Sequence, residues 1–338
     1  MENIYNWFKD AKCGLIIHFG LYSLLGGEYK TYKMNSYCEW IQSYARIKNS
    51  EYFKLVEKFN PIYFNAEEIV KFAKNNGFKY IIFTAKHHDG FCMFHSKYDD
   101  WNISKTPYKK DIVKQLSDMC KKYGIKFGIY YSQDLDWHEP NGGGYNCDNS
   151  DCAGTSWCND WDFTNKDKNF DLYFNNKVLF QVEELCKNYG TIDLFWFDTP
   201  KTINLEQSQQ LYNLVKVLQP NCLINSRLGN GSYDYVTLGD NEIPDKITDS
   251  TSKDFNDING IKYSKNSLYE SVCTLNNTWG YSKFDNSYKT IQQIRSIKDK
   301  LNKLGVCYTI NLSPDPTGKI PTESLEILSK LDNWQKEY

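Results

Sequence analysis

The sequence lacks the features that would point to several broad functions. No apolar run approaches the roughly 20 residues needed to cross a bilayer, so no membrane-spanning helix is expected. An excess of one charge is also missing. Lys and Arg total 40 against 42 Asp and Glu, and the net charge of -2 gives no electrostatic reason to expect nucleic acid as a partner. No G-x-G-x-x-G follows the first apolar run, which leaves a nucleotide-dependent dehydrogenase without its phosphate loop. Met1 to Asp10 contains Asn, Trp and charged residues but no hydrophobic leader core. A cytoplasmic location is expected, or secretion if a signal peptide has been removed. No stretch reads as a linker or a fixed-period repeat, so one catalytic domain over 1–338 is expected.

A disulfide framework is not indicated either. The 11 cysteines are odd in number, and Cys13, Cys120, Cys186, Cys273 and Cys307 lie inside apolar runs, where a thiol is a small hydrophobe. Metal signatures are weak. His87 and His88 are adjacent and lack H-E-x-x-H spacing, so neither a catalytic metal nor an organic cofactor is expected. Cys147, Cys152 and Cys158, near His138, are a candidate structural metal site. Their spacing does not match C-x-x-C, and unliganded loop thiols are the default reading.

What the chain does contain is alternation. Short apolar runs at Cys13 to Phe19, Lys79 to Ala85, Ile125 to Tyr131, Ile192 to Asp198, Cys222 to Asn225, Asp234 to Leu238, Ser267 to Thr274 and Gly305 to Asn311 read as buried strands. Between many of them lie helical patterns: Glu39 to about Lys58, Ala66 to Asn75, Asp111 to Tyr123, Phe170 to Tyr189, Leu205 to Leu218 and Tyr288 to Leu304. A last helix is expected over Thr322 to Trp334. About eight strand–helix units predict a TIM-like (β/α)8 barrel, possibly irregular, rather than a doubly wound sheet. The region from Asp240 to Asn266 is the least regular and reads as a loop over a pocket.

In such a barrel the active-site groups stand at the C-terminal ends of the strands. His18, His87, His88, Asp198 and Arg227 all fall at or just past such an end, in a chain with only five histidines. An acid closing the aromatic strand Leu194-Phe195-Trp196-Phe197 suits a nucleophile held between ring walls. A second acid is needed to protonate a leaving oxygen. From the residues alone, Glu242 and Glu270 share that role evenly, and Glu270 is equally suited to a buried supporting pair. Aromatic content of 16% fits a sugar site and a packed interior equally well.

These motifs together resemble the α-L-fucosidases of glycoside hydrolase family 29. The resemblance is carried by Trp7-Phe8, Gly14 to Gly20, Glu39-Trp40, Lys86-His87-His88-Asp89-Gly90-Phe91, Tyr130-Tyr131-Ser132, Asp136-Trp137, Trp196-Phe197-Asp198, Arg227 and Trp279-Gly280-Tyr281, in the family's order through most of the chain. It implies a retaining exo-α-L-fucosidase with Asp198 as nucleophile. His18, Glu39, His87 and His88 would bind the sugar hydroxyls beside Trp40, with Tyr130 and Arg227 near the nucleophile and Trp196 and Trp279 as aromatic walls. It favours Glu242 over Glu270 as acid/base and implies fucosylated oligosaccharides or glycoconjugates as partners. The chain ends soon after its eighth strand and helix, so a barrel without the family's C-terminal β-sandwich is expected. The rival readings are a related glycosidase of different sugar specificity and a catalytically silent fucose-binding protein.

Overall fold

The computed structural model describes residues 5–247 and 268–331. Its eight parallel strands are β1 (Cys13–Ile17), β2 (Tyr80–Lys86), β3 (Lys126–Tyr131), β4 (Leu194–Phe197), β5 (Leu223–Ile224), β6 (Tyr235–Thr237), β7 (Leu268–Cys273) and β8 (Val306–Leu312). They run in the order β5-β4-β3-β2-β1-β8-β7-β6. A single parallel bridge from Asn225 to Tyr235 joins the two outer strands. The result is an irregular, nearly closed (β/α)8 barrel.

The two-residue period of the strands sorts their side chains. Ile16, Tyr80, Ile82, Tyr130, Leu194, Trp196, Leu223, Tyr235, Val272 and Cys307 form one buried cluster inside the barrel. The alternate residues, such as Ile17, Phe83, Ile129, Phe195, Ile224 and Ile310, pack outward in the cluster shared with the helices. Gly14 on β1 is required by this filling, because a Cβ there would stand 2.1 Å from the Tyr80 ring. The short helix Asn6–Ala11 contributes Phe8, which packs on Tyr80 and Tyr235 with ring centroids 5.8 and 4.7 Å away.

The helices are α1 (Ala66–Asn75), α2 (Ile112–Tyr123), α3 (Leu179–Asn188), α4 (Leu205–Leu218), α5 (Ile291–Lys303) and α6 (Thr322–Leu328). Their starts follow from side-chain caps: Asn65, Asp111, Asn204 and Thr290 each accept a hydrogen bond from the first turn. Three expected helices differ from the structure. The segment from Glu39 to Lys58 is broken into short helical turns, because Arg46 takes a positive φ of 46° and Lys48 is extended. The segment from Phe170 to Tyr189 carries a wide turn at Phe174–Val178 before α3. The last helix stops at Leu328, and positions 332–338 lie outside the described residues. The expected loop from Asp240 to Asn266 lies outside them from 248 onward.

Candidate active site

Residues at or beyond the ends of β1 to β7 line one cavity of about 170 Å³. His18 follows β1, and His87 and His88 follow β2. Trp196 and Asp198 come from β4, Arg227 from the turn after β5, Asp240 from beyond β6, and Trp279 from beyond β7. Glu39, Trp40 and Tyr37 reach in from the segment after β1, and Asp151, Ala153 and Trp157 from the long loop after β3. Typical drug-sized pockets occupy about 300–1,000 Å³, so this cavity holds one small polar ring and not an extended chain.

Asp198 lies at the centre of the hydrogen-bond network. Its Oδ2 accepts a hydrogen bond from the Tyr130 hydroxyl at 2.7 Å, and its Oδ1 accepts one from Arg227 at 3.1 Å. His88 Nε2 is 3.6 Å from Oδ2. Burial opposes ionisation of Asp198, but the guanidinium, His88 in the acid range where it is protonated, and the tyrosine outweigh it and hold the carboxyl below its ordinary value. The other terminal nitrogen of Arg227 donates to Asp240 Oδ1 at 2.7 Å. One rigid guanidinium therefore holds two carboxyl groups at the pocket wall.

The histidines are neutral. Burial lowers His18 and His88 to about 4 and His87 well below its usual value. Their neighbours set the tautomers. Asn311 donates through Nδ2 to the Trp279 carbonyl at 2.7 Å, which turns its Oδ1 toward His18 Nδ1, also at 2.7 Å. Ser132 donates to the Leu135 carbonyl, so its oxygen accepts from His88 Nδ1 at 2.7 Å. Both rings thus carry their proton on Nδ1 and keep Nε2 as an acceptor. Burial raises Glu39 to about 7, against hydrogen bonds from Gly280 N–H at 2.7 Å and the Thr278 hydroxyl at 3.4 Å; its Oε1 is buried and unpaired. His87 Nδ1 is likewise unpaired. Both residues line the cavity, and each keeps one polar atom without a partner in the protein.

The aromatic groups form walls. Tyr130 stacks on Trp196 at 5.1 Å and on His87 at 5.5 Å, Trp279 lies 5.4 Å from His18, and Trp40 packs edge-on to His88 at 4.9 Å. All the residues expected at a sugar site are therefore brought together, apart from the two glutamates. Glu242 does not line the cavity: its carboxylate accepts from Gly239 N–H at 2.8 Å, within its own turn. Glu270 lies inside the barrel, where Trp196 Nε1, Thr237 and Thr309 donate to it at 2.8, 2.9 and 2.5 Å. The acid that faces the cavity on this side is Asp240. Tyr37, Asp151 and Trp157 were also outside the sequence expectation, because they arrive from loops with no strand pattern to mark them. Cys147 bonds to the Lys201 carbonyl, and Cys158 to Ser156 and Asn165. Among the described residues no group of His, Cys, Asp or Glu is arranged to hold a metal ion.

A small pocket with two carboxyl groups within reach of a single arginine suits a glycoside hydrolase that works from a chain end. The α-L-fucosidase family model matches residues 1–338, and the chain belongs to that family. Among solved structures it is similar to the α-L-fucosidase AlfC from Lactobacillus casei in complex with α-L-fucose. The TM-score is 0.90 with 48% identity, covering 99% of this chain and 98% of that one. The α-L-fucosidase of Vibrio sp. strain EJY3 matches at TM-score 0.87 and 30% identity, over 99% of this chain and 55% of its own. A curated α-L-fucosidase of Dictyostelium discoideum is 22% identical over 97% of this chain and 69% of its own length. The chain therefore spans about two thirds of that relative and almost all of AlfC. Its activity is that of a retaining exo-α-L-fucosidase. Among the described residues no helix is long and apolar enough to cross a membrane.

Proposed function

We propose that Asp198 is the nucleophile and Asp240 the acid/base of this hydrolysis, with terminal α-L-fucosyl groups of oligosaccharides or glycoconjugates as substrates. The observation that carries the assignment is the pair of hydrogen bonds from Arg227, one to each carboxyl group at the cavity wall. Asp198 attacks the anomeric carbon while the leaving oxygen takes a proton from Asp240. Water then gives its proton to Asp240 and attacks the same carbon, which releases Asp198 and L-fucose. Ester formation removes the negative charge of Asp198. Arg227 then faces Asp240 alone, at the step in which that carboxyl acts as base. A retaining pair stands about 5–5.5 Å apart, a spacing compatible with two carboxyl groups sharing one guanidinium.

His18, His87, His88 and Glu39 bind the sugar hydroxyls, with Nε2 of His18 and His88 as acceptors. Trp40, Tyr130, Trp196 and Trp279 supply ring surface, suited to a deoxy sugar whose methyl group needs apolar contact. An aspartate-to-alanine variant of AlfC, 47% identical, was solved with Fucα(1,6)GlcNAc. An α1,6-linked fucosyl N-acetylglucosamine is accordingly the first natural linkage to try here.

The test is release of L-fucose from an aryl α-L-fucoside and from α1,2-, α1,3-, α1,4- and α1,6-linked disaccharides, with the first-formed anomer read by NMR. Release of α-L-fucose is expected. An initial β-anomer would overturn retention, and a folded, fucose-binding but inactive protein would favour the silent binding reading.

A further inference from the structure

Two buried polar side chains next to the site take no part in the steps above. Gln133 and Asp134 follow β3, and both are completely buried. Gln133 accepts from the backbone N–H of Asp198 at 2.9 Å through Oε1 and donates to the backbone carbonyl of Arg227 at 3.0 Å through Nε2. Asp134 Oδ2 accepts from three consecutive N–H groups, those of Lys201, Thr202 and Ile203, at 2.9, 2.6 and 2.7 Å. Between these anchors stands Thr199, a pocket-lining β-branched residue with φ of +52°. A β-branched residue in the left-handed region is a genuine outlier, and it persists only where its surroundings over-determine it.

The geometry matters because Asp198 and Arg227 come from different elements, β4 and the turn after β5, yet must meet at 3.1 Å. Catalytic groups need placement within about 0.5 Å, which neighbouring bonds must supply. An ordinary loop cap would satisfy backbone groups anywhere along the connection. Here the two ends of one amide fall on the backbones of the two residues that form the ion pair.

We propose that Gln133 and Asp134 are positioning residues: Gln133 ties the backbone of the nucleophile to that of its arginine, and Asp134 clamps the turn that keeps Thr199 in its strained conformation. The proposal rests on the reading of Asp198 as nucleophile.

The test uses the full chain with Gln133→Met, Asp134→Asn and Asp198→Ala beside the parent. Gln133→Met removes both ties at similar size. It is expected to keep the parent circular dichroism while kcat on an aryl α-L-fucoside falls about 10–100-fold and KM changes much less. The acid limb of its kcat/KM profile should move to higher pH. The groups facing Asp198 are Arg227, His88, Tyr130 and, further off, His18, and Arg227 is the one whose seat the amide sets. Asp134→Asn keeps an acceptor for the three N–H groups and should lose activity in the same direction, about 3–10-fold. A folded Gln133→Met with the parent rate, or with a lower rate and an unmoved acid limb, would overturn the proposal. If Gln133→Met does not fold, Gln133→Glu retains the acceptor and is judged by the same readings. An active Asp198→Ala would instead sink the assignment of the nucleophile. An inactive Asp198→Ala beside an unaltered Gln133→Met would remove only the positioning role.

Discussion

Asp198 and Glu270 are both buried in the barrel and both belong to networks that include Trp196, yet their protons behave in opposite ways. Burial raises Glu270, and hydrogen bonds from Thr309, Trp196 and Thr237, with a smaller pull from Arg227, only partly offset it. Burial also pushes Asp198 upward, but Arg227, His88 and Tyr130 carry it below its ordinary value. Both sites are buried and both feel Arg227, but only Asp198 is bonded to the guanidinium. In this interior a cage of uncharged donors, with the cation only at a distance, leaves a carboxyl protonated more readily, whereas a guanidinium bonded at 3.1 Å favours the ionised form that a nucleophile needs.

The largest effect should come from deleting the charged member. Asp198→Ala is expected to lower kcat by at least about 10⁴-fold, with circular dichroism unchanged, as read by aryl fucoside turnover. Retention of more than a few per cent of turnover would remove Asp198 from the mechanism. Next is the partner acid. Asp240→Ala should cost about 10²–10⁴-fold on a disaccharide, whose leaving oxygen needs a proton, and less on an activated aryl fucoside. Azide should restore turnover and yield a fucosyl azide. Glu242→Ala is the control two residues away and should stay within about threefold of the parent. If Glu242→Ala takes the loss and the azide rescue instead, the assignment of Asp240 fails.

Converting the environment of Asp198 toward that of Glu270 gives a sharper test. Arg227→Lys keeps a positive charge but cannot present two terminal nitrogens in a fixed plane. One strong charge-assisted bond is worth about 1.5–3 kcal/mol, so kcat/KM should fall about 10–150-fold. A depressed carboxyl stays ionised until pH falls through its folded-state pKa. Weakening the cation raises that value, so the acid limb should move to higher pH. A limb that stays fixed would mean that Arg227 does not set the ionisation of Asp198.

The legible part of this arrangement follows from how each residue is delivered. Asp198, His18 and the His87-His88 pair end buried apolar strands, and barrel geometry brings every such end to one rim. All eight strands can be read for the same reason, with ends displaced by only one or two residues in most cases. The choice among Asp240, Glu242 and Glu270 is not legible in this way. Asn241 takes a positive φ of 57°, and this turn leaves Asp240 facing Arg227 while Glu242 folds back on Gly239. Nothing in the spacing of two acids in a short loop encodes that reversal. Glu270 occupies a strand position, but its inward direction and its distance from the rim depend on register with Thr237 and Cys307. Tyr37 and Trp157 enter from irregular segments, where neither period applies.

The smallest expected effect tests the other half of the comparison. A carboxyl with a raised folded-state pKa contributes stability that is fully present below its unfolded-state pKa and is lost as pH rises through the folded value. In the window between the two, the folded chain binds more protons at Glu270 than the unfolded chain does. Glu270→Gln replaces the titrating group with a neutral one of the same size that still accepts hydrogen bonds. Its stability relative to the parent should therefore improve as pH rises across that window, read as a rising Tm difference between the two proteins, while turnover stays within about threefold. Thermal unfolding of both proteins over a pH series measures the difference directly. A deficit that is the same at every pH would mean that hydrogen-bond geometry, and not ionisation, sets the cost. A large loss of turnover would mean that Glu270 acts through Trp196 on the pocket, and the two carboxyl sites would then be coupled rather than merely contrasted.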